Sequence, residues 1–240
     1  MLRKKMFPGG KKAFTERGQE IFRVEALSDA VFAFSMSLLI MALEVPRSFG
    51  EFRHTMFNFP PFVATCTLVF YFWFLQNRFF RMYGLHNDRI IFLNLGLLMM
   101  ILIYAFPLKY LFSLLLSWWF GKNYLTGEQN EGIPMLSLDN FNTLVMFFSI
   151  GYAIIWLIFL LLYREAYKAA DTLGLNATEK MILRYDRIDA RVEMLIGLLS
   201  LLLALSDLPT LSGICFLLIP IWLLCWSILR RRALSKVPAH

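Results

Sequence analysis

Val24–Leu43 reads VEALSDAVFAFSMSLLIMAL, twenty residues that are apolar beyond their first turns. That is the length a helix needs to cross about 30 Å of hydrocarbon. The segment opens on charge: Arg23 stands just before it, and Glu25 and Asp29 lie one turn apart within it. Ionisable residues at the head of a span are costly in lipid, so they point to a function or to fixed partners. The basic residues upstream, Arg3, Lys4, Lys5, Lys11 and Lys12, do not lead into the short apolar run and small-residue cleavage site of a signal peptide. The segment reads as a retained first transmembrane helix.

The rest of the chain is of the same kind. Of its 240 residues 58% are hydrophobic and only 17% charged, against about 45–50% and about 25% in soluble domains. That much apolar surface does not fit inside one core of this size. Six windows approach the length of a span: Val24–Leu43, Asn58–Gln76, Ile90–Leu111, Phe141–Tyr163, Val192–Leu205 and Leu211–Leu229. The fifth is the shortest and extends backwards through Ile188 to Glu193. Pro107 and Pro220 fall in or near apolar runs, where neighbouring helices can re-satisfy the backbone. The expected fold is an all-α integral membrane protein with six transmembrane helices per subunit. Residues 23–232 form one domain, between a basic N-terminal segment, 1–22, and a tail, 233–240.

Orientation follows from Lys and Arg in the connections. One side collects Arg3, Lys4, Lys5, Lys11, Lys12, Arg17 and Arg23; Arg78, Arg81 and Arg89; Arg164, Lys168, Lys180, Arg184, Arg187 and Arg191; and Arg230, Arg231, Arg232 and Lys236. The other has Arg47, Arg53, Lys109 and Lys122. Twenty cations against four place both termini in the cytoplasm. The net charge of +7 is then a topology signal and an attraction to anionic lipid, not a nucleic-acid interface. Trp118, Trp119 and Trp226 suit membrane interfaces. Gly121–Asn140, with Gly127, Gly132 and Pro134, reads as an irregular outer loop. In the inner loop Arg164–Arg191, Asn176 and Glu179 have capping-box spacing for a helix leading into the fifth span.

Catalytic chemistry is not in evidence. His54, His86 and His240 lie in loops or at the tail, and no zinc, phosphate-loop or hydrolase motif occurs. Cys66, Cys215 and Cys225 lie in apolar runs without metal-ligand or disulfide spacing, as small buried hydrophobes do. Glu25 and Asp29 have the spacing of an acid dyad, but they sit beside Arg23 at the cytoplasmic boundary. No enzyme, cofactor or metal site is expected. A secondary or proton-coupled transporter needs an acid near mid-membrane, and none is read deeper than Asp29. A non-conducting membrane scaffold remains a third class.

At about 100° per residue, Ala30, Phe34, Ser37, Leu38 and Met41 share one stripe of the first helix. Asp29 lies about 140° from Phe34 and Ser28 about 120° away on the other side. Both point off the stripe towards neighbouring helices. The stripe suits a lipid-facing or core surface in a lone helix, and hydrophobic rings with a hydroxyl ring if four copies meet around an axis. Periodicity does not choose between these.

Arg23, Leu27, Ser28 and Asp29, followed by Ala30-Val-Phe-Ala33, resemble the R-x-x-x-F-S-D signature of the transmembrane protein 175 family, in its prokaryotic branch of potassium-permeable channels. Trp73 and Arg78 in a W-x-x-x-x-R stretch, Leu93-Asn94-Leu95 and Pro107 extend the resemblance over most of the spans. It implies a homotetramer in a prokaryotic cell membrane, with the first helix of each subunit lining a central potassium pathway. It also implies a hydrophobic constriction at Phe34, a hydroxyl at Ser37 and further apolar rings at Leu38 and Met41. Arg23, Ser28 and Asp29 take the role of a hydrogen-bond network to the second and third spans, with Trp73 and Asn94 as partners. Three positions depart from the pattern: Leu27 replaces Phe, Asn77 replaces a frequent His, and Phe34 replaces Ile or Leu, giving a bulkier constriction.

Overall fold

The computed structural model of the chain describes residues 16–18, 21–41, 46–57, 59–121, 124 and 138–234. Every regular element among them is a helix: α1 Arg23–Met41, α2 Phe49–Phe57, α3 Phe59–Tyr83, α4 Asp88–Phe120, α5 Leu138–Lys168, α6 Ala177–Leu205, α7 Pro209–Cys215 and α8 Leu218–Leu234. Helices satisfy their own backbone, which lipid demands of any spanning segment. Among the described residues, four stretches are long and apolar enough to cross a membrane: Arg23–Met41, Phe59–Tyr83, Asp88–Ala105 and Asn140–Lys168.

The other two expected windows take a different form. The fifth is the second half of α6, whose first half carries Glu179, Lys180, Arg184, Asp186, Arg187, Asp189 and Arg191 in unbroken helix. The sixth is split at Phe216 and Leu217 into α7 and α8. Pro220 accounts for the split: it has no N–H to donate and its ring crowds the carbonyl four residues back, that of Phe216. In α4, by contrast, Pro107 lies inside a helix that continues to Phe120. Arg78 and Arg81 belong to the last turns of α3 rather than to a loop. The connection from α3 to α4 is correspondingly short, and Gly84 supplies its left-handed residue at φ 59°.

Local signals explain several ends. Asn87 caps α4 by accepting from the Ile90 amide at 3.0 Å. Asn176 and Glu179 form a reciprocal capping box at the start of α6. Ser48 Oγ accepts from the Glu51 amide at the start of α2, a short helix between the first two expected spans. Most of Gly121–Asn140 lies outside the described residues, as do Lys122, the first basic cluster and residues 235–240 of the tail; the Trp118 side chain is likewise outside them.

α1 packs against α3 and α4, while α5 pairs with α6, with α7 and α8 beside it. Aromatic rings join the two groups. Phe72 of α3 stacks on Phe159 of α5 at 6.3 Å and meets Trp156 edge-on, and Phe79 meets Tyr163 at 5.8 Å. Residues 16–18 strap the end of α3 to the start of α6. The Arg17 and Gly18 amides donate to the Arg81 carbonyl, a passage that only glycine allows, since a Cβ on Gly18 would collide with the Phe80 carbonyl. The Arg17 guanidinium grips both carboxylate oxygens of Glu179 and the Leu173 carbonyl.

Candidate functional site

α1 has two distinct faces. Ser28, Phe32, Ser35 and Leu39, spaced four, three and four apart, are buried against the neighbouring helices. Ser28 and Ser35 donate to the Val24 and Val31 carbonyls, so their hydroxyl hydrogens are satisfied within the helix. The opposite side is uncovered. Phe34 is 57% exposed, Leu38 44% and Met41 77%, and Ala30 and Ser37 are exposed between them. Ser37 donates to the Ala33 carbonyl at 3.0 Å, which leaves its oxygen lone pairs facing outward.

Polar bonds tie α1 to its neighbours, from the exposed Asp29 and the buried Ser28. The Trp73 indole donates to Asp29 Oδ1 at 2.8 Å, linking α3 to α1. Asn94 Nδ2 donates to Ser28 Oγ at 2.9 Å, linking α4 to α1. Gln76 Nε2 donates in turn to Asn94 Oδ1 at 2.9 Å. Ser28, Asn94 and Gln76 are all buried, so each bond replaces one that water would otherwise make. Sequence reading missed Gln76; the signal was its place three residues after Trp73, on the same face of α3.

The remaining sequence candidates go elsewhere. Arg23 is exposed and forms no hydrogen bond or ion pair with another described residue. Arg78 turns away from α1 and places Nη2 3.2 Å from both carboxylate oxygens of Asp186 on α6. Glu25 faces the Phe22 amide, at 3.4 Å, so it and Asp29 are not joined as an acid pair.

A second polar line runs along α6. Glu179, Asp186, Glu193 and Ser200, at every seventh position, are all buried. Each has its own partner: Arg17, Arg78 of α3, Tyr152 of α5, and Ser149 of α5 with Ser212 of α7. Small hydroxyls and such bonds join helices where lipid supplies no hydrophobic drive. Tyr152 donates to Glu193 Oε2 at 2.5 Å, while Oε1 has no partner among the described residues. A cavity of about 680 Å³ adjoins it, walled largely by apolar side chains such as Phe72, Leu108, Phe148, Trp156 and Leu223.

Glu193 stands no deeper along its helix than Asp29. Both stand twelve residues before the last described residue of their helix. That is a rise of about 18 Å at 1.5 Å per residue. Unlike Asp29, Glu193 is wholly buried. The line was overlooked because the first half of α6 reads as a charged loop, whereas its seven-residue period keeps the acids on one face.

Residues 23–104 match the protein family described as "Endosomal/lysosomal potassium channel TMEM175". Over 194 residues the chain is 31% identical to a protein from Marivirga tractuosa named "Potassium channel", covering 81% of this chain and 78% of that relative. It is also similar in fold to a solved crystal structure, a variant of the potassium channel MtTMEM175 bound to a nanobody–MBP fusion. The TM-score is 0.80 at 30% identity, over 95% of this chain and 100% of that one.

Proposed function

The chain belongs to the TMEM175 potassium-channel family, and on that premise we propose that it is a passive potassium-permeable channel whose pathway is lined by α1. The observation that carries the proposal is the division of that helix. One face is packed and hydrogen-bonded, and the opposite stripe of Phe34, Ser37, Leu38 and Met41 is left uncovered.

In this reading four copies assemble as a homotetramer around the stripe. Six spans per subunit, formed by α1, α3, α4, α5, α6 and the α7–α8 pair, leave both termini in the cytoplasm of a prokaryotic cell, as the twenty-to-four distribution of cations supports. Rings of Phe34 and Leu38 form hydrophobic constrictions where a cation must shed water, and such rings gate by dewetting. The Ser37 oxygens between them partly replace the lost hydration. Four Phe34 rings are bulkier than the Ile or Leu usual in the family, so resting conductance is low. Ser28, Asp29, Trp73, Asn94 and Gln76 hold the rotation of α1, and Arg23 reaches its aliphatic stem along the boundary with its charge in water.

Conductance across a planar bilayer tests this. Phe34→Ala raises potassium current, and Leu195→Ala, on the exposed outer side of α6, does not. Unchanged current in a Phe34→Ala protein of normal assembly would remove the stripe from the pathway.

The buried carboxyl of Glu193 gives a second reading, a proton-coupled carrier, one specific point of support. Rate against gradient separates the two: a carrier saturates and couples two solutes, and a channel does neither.

A further inference from the structure

Where α5 ends and α6 approaches its apolar half, cations gather without an ion pair to any described residue. Arg184, Arg187 and Arg191 follow at intervals of three and four residues, so they share a face of α6. Arg164 joins them from the antiparallel α5. Arg187 is the centre. Its guanidinium carbon lies 4.4 Å from the Tyr167 ring centroid, its side chain is half-buried, and its Nε is sealed without a hydrogen-bond partner among the described residues. Burial, followed by the charges of Arg191, Arg164 and Arg184, holds its pKa below the usual range.

The acids of the surrounding elements are committed elsewhere. Asp186 meets Arg78, Asp189 accepts from the Trp222 indole, and Glu179 holds Arg17. Glu165 bonds Lys168 at 2.6 Å and faces Arg89 at 3.9 Å, and Asp171 pairs with Lys180. α8 packs on this side of α6 through Tyr185 and Trp226, and its sequence has no acid and carries Arg230, Arg231 and Arg232 in its last turns. Arg164, Arg184, Arg187 and Arg191 therefore form no ion pair with any described residue. Like charges gathered beside a low-dielectric surface repel more strongly than in water.

We propose that this cluster is a binding site for the phosphate headgroup of an anionic phospholipid. Guanidinium forks match phosphate oxygens in bidentate geometry, and such charge-assisted bonds are the strong ones. The cluster ends at Arg191, immediately before the expected span at Val192, which is the level of the headgroups. The lipid is favoured over free phosphate because its acyl chains run on into the hydrocarbon beside the exposed Leu195, Leu198 and Leu199. The site rests on the proposed cytoplasmic orientation of this end.

Native mass spectrometry of the detergent-purified protein tests it, titrating phosphatidylglycerol, phosphatidylcholine and inorganic phosphate. The expected result is saturable phosphatidylglycerol binding that weakens at least tenfold in Arg184→Gln/Arg187→Gln and is unchanged in Arg53→Gln. The charge-conserving Arg184→Lys/Arg187→Lys protein, which keeps the topology signal, binds at intermediate strength. Equal binding of the two lipids, or Gln and Lys variants that bind as tightly as the parent, would overturn the site. Inorganic phosphate that binds as tightly as the lipid would assign the cluster to a soluble anion and overturn the lipid. Potassium flux from the same preparation reports separately on the channel reading.

Discussion

The Trp73 indole and the Asp29 carboxylate meet at 2.8 Å between α3 and α1. With Asn94 holding Ser28 from α4, the contact sets the rotation of α1 about its own axis. Slipping by one residue turns a helix by about 100° and would carry Phe34 off the uncovered stripe. The placement of the apolar side chains on that stripe is thus decided by polar residues that do not lie on it.

Asp29→Asn keeps an oxygen for the indole but removes the charge that strengthens the bond. The expected loss is about 1 kcal/mol of stability, seen as a lower thermal midpoint and a smaller oligomeric fraction in size-exclusion chromatography. A change in ion preference with neither of these would show that Asp29 faces the pathway.

Asn94→Leu strands two groups, the Gln76 amide and the Ser28 oxygen, inside the α1–α3–α4 contact. Leaving a buried polar group unpaired costs about 1–3 kcal/mol. Gln76→Leu/Asn94→Leu removes donor and acceptor together and is less destabilised than the sum of the single changes. Simple additivity in a thermal double-mutant cycle would mean that the two amides are not coupled.

Arg17→Met leaves the Glu179 carboxylate fully buried without its guanidinium. Breaking a buried pair from one side costs about 3–5 kcal/mol. Arg17→Met/Glu179→Gln recovers part of that, because the uncompensated charge is gone. Thermal unfolding of the two variants and the parent checks it, and an Arg17→Met protein as stable as the parent would show that the N-terminal strap does not hold α6.

Glu193→Gln retains a group that can accept from Tyr152, so the fold persists and potassium flux is intact. Tyr152→Phe removes the one partner that the carboxylate has among the described residues and lowers the thermal midpoint further. Loss of flux in Glu193→Gln, with normal assembly, would favour the carrier.

What the sequence disclosed depended on which physical period each segment follows. In α1 the 3.6-residue period separates the stripe through Phe34 from Ser28 and Asp29. The structure leaves that stripe exposed and buries Ser28. Trp73 and Asn94 were named through family resemblance, since no periodicity links residues on three different helices. Gln76 ends an apolar run, so it looks like the edge of a span although it lies well inside α3. The charges of α6 imitate a loop because Glu179, Asp186 and Glu193 find partners on other segments, which a local pattern does not reveal. The break before α8 arises from a single ring, Pro220, set against an apolar run that hydropathy reads as continuous.

The most direct test is potassium efflux from liposomes carrying the purified protein, beside sodium-loaded and protein-free controls. The channel reading predicts efflux that exceeds the controls, prefers potassium to sodium, grows with the gradient without saturating and rises in Phe34→Ala. Saturating efflux coupled to a second solute would contradict it, as would no efflux from either the parent or an assembled Phe34→Ala protein.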